Sequence, residues 1–136
     1  MISGTQLLHF KIHGDERGSL IAIENNRNIE FEIKRVYYIF GTGSNVIRGK
    51  HAHKDLRQVL VCVSGSCDIL LDNGRDREIV RLDSPDTGIY IYSFIWREMM
   101  NFSKECVLVA FVDREYNRDD YIYDYESFKA WISHDV

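Results

Sequence analysis

Two histidines separated by one residue, His51 and His53 in "VIRGKHAHKDLRQVLVCVSG", are the place in this chain where side-chain type and spacing first suggest chemistry. In an extended strand alternate side chains share a face, so both imidazoles enter one pocket while Ala52 points away. Such a pair either opens a metal site or supplies an acid and a base. Zinc and iron sites draw on His, Cys and carboxylate groups, with about three protein ligands needed for catalysis. The other histidines, His9, His13 and His134, lie in unrelated segments, which leaves the pair short of a metal centre. A histidine with an ordinary pKa of about 6.5, aided by a tyrosine or a second histidine, instead suits removal of a carbon-bound proton next to a carbonyl. Arg48 lies just before the pair and Arg97 in "IYSFIWREMM". Two guanidinium groups at one mouth would hold a diphosphate through bidentate, charge-assisted hydrogen bonds.

These side chains need a scaffold that presents them at a common opening. Short apolar runs, "QLLHFKI", "SLIAIE", "FEIKRVYYIF", "QVLVCVSG", "CDILLD", "REIVRL", "TGIYIY" and "ECVLVAFVD", read as strands separated by Gly, Asn, Asp and Ser clusters. Asn73-Gly74 suits the positive φ angles of a tight hairpin between "CDILLD" and "REIVRL". So many short antiparallel strands close their edges as an all-β jelly-roll sandwich or barrel, whose mouth is the natural pocket. The chain ends in "DYESFKAWISHDV", where Tyr125, Phe128, Trp131 and Ile132 share a helical face and Asp124 is placed to cap it. A short C-terminal helix over about 125–133 is therefore expected to pack its aromatic residues on the barrel.

The 136 residues suit a single domain spanning 1–136, and no stretch approaches the roughly 18 apolar residues of a membrane span. A formal net charge of −4 excludes the broad basic surface of a non-specific nucleic-acid binder, so positive charge for an anionic ligand must be local. Cys62, Cys67 and Cys106 are odd in number and form no CxxC pair, which points to reduced thiols acting as small apolar side chains. With no basic, apolar leader visible, a cytoplasmic location is expected.

The histidine stretch resembles the first motif of the cupin superfamily, in which a histidine pair is followed by an acidic residue and, after a run of strand, a glycine. His51, His53, Gln58 and Gly65 occupy those places, with an amide where the acidic ligand belongs. The second motif is matched by "SPDTGIYIYSFIWREMMNF", with its turn at Pro85 and Gly88 and Arg97 where a histidine belongs. A guanidinium beside a divalent ion would repel it, so no metal is expected.

A closer resemblance is to the dTDP-sugar epimerases and, closer still, to the 3,4-ketoisomerases acting on dTDP-4-keto-6-deoxyglucose. It rests on "DERGSLIAIE", "RVYYIF", "RGKHAHKDLRQ", "IYSFIWREM" and "DREYNRDDYIYDYESF", which together span nearly the whole chain. The resemblance implies that the carbonyl of a dTDP-linked 4-keto-6-deoxyhexose moves from C4 to C3 through an enediol or enediolate, without a cofactor. His51 is the preferred base, with His53 orienting it or sharing the proton transfer and the choice between the two histidines open, and Tyr37 is the preferred acid. Tyr38 is the alternative to Tyr37, because parity within "RVYYIF" is open. Arg48, Arg97, Arg17, Gln58 and Tyr38 are the expected substrate-binding residues, and the Arg17-Gly18 loop leans towards a galacto-configured product. The rival readings are a 3,5-epimerase, a metal-dependent cupin oxygenase, which Gln58 and Arg97 disfavour, and a non-catalytic sugar-nucleotide binder. A homodimer is expected, with "QLLHFKI" available for exchange between subunits.

Overall fold

The computed structural model describes residues 1–134. Twelve strands run in chain order: β1 (Thr5–His9), β2 (His13–Asp15), β3 (Gly18–Leu20), β4 (Arg35–Phe40), β5 (Arg48–His53), β6 (Gln58–Ser64), β7 (Cys67–Asp72), β8 (Arg77–Leu82), β9 (Thr87–Ile91), β10 (Trp96–Met100), β11 (Val107–Val112) and β12 (Tyr121–Ile122). A 3-10 turn at Arg118–Asp120 precedes β12, and helix α1 (Tyr125–His134) is the last element of the described residues. Two five-stranded sheets, ordered β1-β9-β6-β11-β4 and β12-β5-β10-β7-β8, face one another, while β2 and β3 form a separate hairpin. Every strand pairing is antiparallel. This is the jelly-roll sandwich expected from the strand pattern.

Alternation along the strands builds the core. Leu60 and Cys62 of β6, Ile69 and Leu71 of β7, Ile89 and Ile91 of β9 and Leu108 and Ala110 of β11 meet between the sheets. The opposite face of the first sheet is also buried: Val59, Val61 and Tyr90 lie beneath Phe10, Ile29 and Phe31. The segment before β4 provides that cover, although "SLIAIE" and the start of "FEIKRVYYIF" read as strand. Asparagine side chains explain the difference, because they take the backbone bonds that a neighbouring strand would supply. Asn28 Oδ1 accepts from Glu24 N–H and its Nδ2 donates to Ala22 C=O, while Asn25 Oδ1 accepts from Ile33 N–H.

The connection between β7 and β8 is longer than an Asn-Gly two-residue turn. Asn73 Oδ1 accepts from the N–H groups of Arg75 and Asp76, and only Gly74 has a positive φ, of 90°. Helix α1 begins where expected, with Asp124 Oδ2 accepting from Ser127 N–H at 3.0 Å. Its Phe128 is fully buried against Ala52, Leu70, Trp96 and Ile122 on the outer face of the second sheet. Trp131 departs from the expected core face; it stays 44% exposed, with Lys54 Nζ 4.7 Å above its ring. Among the described residues no helix is long and apolar enough to cross a membrane.

Candidate active site

A bulge in β5 sets the site. Arg97 of β10 pairs with His51 and Glu98 with Gly49, so Lys50 is the extra residue between two adjacent positions of the partner strand. Gly49 and Lys50 accordingly adopt φ of 81° and 55°. The inserted residue shifts side-chain parity. Arg48, three residues before His51, then joins the histidine face although simple alternation would put it on the other side. A side chain at Gly49 would be strained, with a Cβ standing 3.0 Å from the Arg97 carbonyl oxygen.

A cleft of about 260 Å³ opens there, lined by Arg35, Tyr37, Ile39, Arg48, Gly49, His51, Met99 and Tyr121. Strand β4 supplies Arg35, Tyr37 and Ile39 from one face, which resolves the parity of "RVYYIF". Tyr38 points the other way and is 62% exposed, so its expected place beside the substrate is corrected. A neighbouring depression of about 470 Å³ shares Tyr121, but its acidic residues Asp55, Asp113, Glu115 and Asp120 outnumber Lys34 and Arg114, which disfavours an anionic ligand.

Beneath the cleft runs a chain of polar side chains. Arg97 is completely buried; its Nε and Nη2 donate to the Ile95 carbonyl and its Nη1 to Gln58 Oε1. Because a guanidinium only donates, Gln58 must turn its oxygen to Arg97 and its NH₂ to the other side. Gln58 Nε2 therefore donates to the Tyr37 hydroxyl at 2.7 Å. Tyr37 accepts this bond and keeps its own proton free for the cleft. Burial raises the Tyr37 pKa above the ordinary phenol value, outweighing the charge of Arg97 and the bond from Gln58. Arg97 and Gln58 thus lie under the floor of the cleft rather than at its mouth, which corrects the expected contact of Arg97 with a diphosphate and of Gln58 with the substrate.

His53 is buried, and its Nδ1 lies 2.9 Å from Asp120 Oδ2. Burial first, then the charge of Arg97, hold His53 well below the ordinary histidine range, so the ring is neutral. With an ionised carboxylate as partner, Nδ1 must carry the hydrogen and Nε2 presents a lone pair. Asp120 Oδ1 is fixed by Asp55 N–H at 2.7 Å, although burial raises the Asp120 pKa. His51 stands edge-on to His53 at a centroid distance of 4.8 Å and 5.0 Å from the Tyr121 ring. Desolvation and Arg97 push His51 down to about 4. A buried cation below two neutral imidazoles disfavours a divalent metal at the same place, so the pair does not fit a metal centre.

Three contributors were missed in the sequence. Asp120 and Tyr121 reach the histidines because β12 pairs with β5, Tyr121 opposite His53. Arg35 lies two residues before Tyr37 on the same strand face, and that spacing was the available signal. Its Nε is buried without a hydrogen-bond partner while its guanidinium stacks over Tyr37 and Tyr116. Arg17 lies elsewhere, 84% exposed on the β2–β3 hairpin and paired with Asp15 at 2.6 Å. Within one chain the fold does not bring it to the cleft.

A family model described as FdtA: WxcM-like, C-terminal matches residues 3–133. A TDP-4-oxo-6-deoxy-alpha-D-glucose-3,4-oxoisomerase from Aneurinibacillus thermoaerophilus is 48% identical over 128 residues, covering 94% of this chain and 92% of the relative. The chain belongs to the FdtA-like 3,4-ketoisomerases. Among solved structures, the FdtA-like fold superposes on QdtA, a sugar 3,4-ketoisomerase from Thermoanaerobacterium thermosaccharolyticum in complex with TDP. That match has a TM-score of 0.96 and 38% identity, over 99% of this chain and 98% of the other. It also superposes on the WlaRB TDP-quinovose 3,4-ketoisomerase from Campylobacter jejuni, with a TM-score of 0.92 and 48% identity over 95% and 99% of the two chains. The FdtA-like scaffold and the sequence-based family assignment agree.

Proposed function

We propose that this chain is a sugar-nucleotide 3,4-ketoisomerase converting dTDP-4-keto-6-deoxyglucose to the 3-keto isomer. The observation that carries the reading is the neutral His51 in a cleft that also holds the proton-bearing Tyr37 hydroxyl and the guanidinium groups of Arg35 and Arg48. His51 removes the proton from C3, and the electron pair moves through the C3–C4 bond onto O4. Tyr37 protonates O4, and the resulting enediol loses the O3 proton to the same pair. Return of a proton to C4 leaves the carbonyl at C3. Nothing is oxidised or reduced overall, so the reaction needs no redox cofactor. His53, held by Asp120, orients His51 and keeps an acceptor nitrogen beside it. Arg35 and Arg48 hold the diphosphate in the role first assigned to Arg97.

Incubation with dTDP-4-keto-6-deoxyglucose in heavy water, followed by proton NMR, tests this reading. A 3-keto product labelled at C4 is expected. Epimerisation with the carbonyl still at C4, or no exchange at all, overturns it. Loss of a charge-assisted hydrogen bond costs about 1.5–3 kcal/mol, so Arg48→Ala and Arg35→Ala should each weaken TDP binding by roughly 10- to 150-fold in a calorimetric titration.

The working unit we infer is a homodimer. Val36, Tyr38 and Phe40 leave an apolar row exposed on β4, an edge strand, with the Tyr38 and Phe40 rings 6.0 Å apart. Strand β1 already pairs with β9 of its own chain, so exchange of the N-terminal strand would replace that pairing with a partner's. Light scattering of Tyr38→Asp against the unmodified chain separates dimer from monomer. The three unbridged thiols suit a reducing compartment such as the cytoplasm.

A further inference from the structure

All three cysteines converge inside the barrel at the far end of β6 from Gln58. Cys62 lies near the end of β6, Cys67 begins β7 and Cys106 precedes β11. Their sulfur atoms lie within 4.8 Å of one another, and Cys62 Sγ is 3.5 Å from Cys106 Sγ. Gln58, Leu60 and Cys62 share one face of β6, which puts the thiols about 13 Å along the strand from the Tyr37 network.

The frame around the thiols is closely packed and hydrogen-bonded. Gly65, with φ of 67°, turns the β6–β7 hairpin so closely onto Cys106 that a Cβ would stand 2.9 Å from its backbone. Ser66 and Ser103 exchange two hydrogen bonds, Ser66 N–H to Ser103 Oγ and Ser103 N–H to Ser66 C=O, and Cys106 N–H donates to Ser103 C=O. Only the exposed Lys104 and Glu105 lie between that clamp and Cys106.

We propose that Cys62, Cys67 and Cys106 form a binding site for a three-coordinate, trivalent thiophile of the arsenite class. Three sulfurs around one ion at bonds of about 2.3 Å stand at most about 4.0 Å apart. Cys62 and Cys106 already lie inside that span, and the widest separation needs to contract by less than one ångström. No described His, Asp or Glu completes a fourth position beside the three sulfurs, so the tetrahedral preference of zinc is unmet.

Charge then selects the oxidation state. The thiols are buried in the apolar core, where uncompensated charge is costly. Three thiolates around a trivalent ion are neutral, around a divalent ion they leave one negative charge, and around copper(I) they leave two. The charged groups acting on Cys62 and Cys106 are Asp83 and Glu105, which oppose any surplus negative charge. The exchange balances without an oxidant. Three As–O bonds of As(OH)₃ break, three As–S bonds form, and the thiol protons leave with the hydroxides as three waters.

The test uses the full, reduced chain with sodium arsenite, read by native mass spectrometry. Uptake of one arsenic per chain with loss of three protons is expected, together with a raised Tm and unchanged TDP binding. Cys106→Ala and Cys62→Ala, each checked for folding by TDP binding, should lose stoichiometric uptake. Retained uptake in either folded variant overturns the proposal. So does no uptake by the native chain, loss of only two protons, or displacement of arsenite by equimolar zinc. Should neither variant fold, the proton count of the native adduct still decides.

Discussion

The amide of Gln58 joins Arg97 to Tyr37: its oxygen accepts from the buried guanidinium, and its nitrogen donates to the phenol oxygen at 2.7 Å. The direction of both bonds follows from Arg97 having no acceptor. Gln58→Glu reverses the second bond, because a carboxylate can only accept and would draw the Tyr37 proton away from the cleft. The variant should lower kcat by about 10²–10⁴-fold, the range of a general acid, with little change in KM. Tyr37→Phe should fall in the same range. A Gln58→Glu enzyme with normal kcat would show that Tyr37 does not deliver the proton.

The His51 pKa of about 4 sets the pH behaviour of the free enzyme. The acid limb of kcat/KM should lie near 4 rather than at the ordinary histidine value of about 6.5. A bound diphosphate adds negative charge near the base, so the limb of kcat should lie higher than that of kcat/KM. Stability follows the same groups. The unfolded chain takes up a proton on His51 near pH 6.5, whereas the folded chain resists until about 4. The contribution is therefore complete above about 6.5 and falls by roughly 1.4 kcal/mol per pH unit between those values. Urea midpoints of the native chain and His51→Asn at pH 7 and pH 5 check this. The native chain should lose more.

Strand patterns carried most of the scaffold into view, because β6, β7, β8, β9 and β11 each combine apolar residues with clear turn residues at their ends. The histidine pair was equally visible, since alternation acts between neighbours. What lay hidden depended on contacts across the chain. Asp120 meets His53 over a separation of 67 residues. Arg97 reads as a surface anion binder by residue type, yet its place in β10 opposite His51 buries it. Arg48 enters the cleft only because Lys50 bulges, and no local pattern of residue types announces that shift.

Asp120 fixes the His53 tautomer by accepting from Nδ1. In Asp120→Asn the side-chain oxygen can still accept from Asp55 N–H, but its NH₂ then faces His53 and requires Nδ1 as acceptor. The hydrogen moves to Nε2, and the lone pair beside His51 is lost. Nitrogen-15 NMR of the imidazoles should show the exchanged tautomer, with kcat reduced by up to about 10⁴-fold, as for a histidine held in the wrong tautomer. An unchanged His53 tautomer with full activity would remove Asp120 from the site.

Gly49→Ala tests whether the bulge itself positions the base. The added methyl meets the Arg97 carbonyl oxygen at 3.0 Å, on a backbone whose φ of 81° already disfavours a side chain. Relief requires β5 to move away from β10 or the bulge to collapse, and a collapsed bulge returns Arg48 to the opposite face from His51. The backbone strain costs about 1–3 kcal/mol, visible as a lower urea midpoint. At Lys50, also at positive φ, the change to glycine removes strain and should raise stability slightly without altering the register. Loss of TDP affinity and turnover together in Gly49→Ala, with both retained in Lys50→Gly, is expected if the bulge aligns Arg48 with His51. Equal loss in both variants would place the requirement on the Lys50 side chain instead.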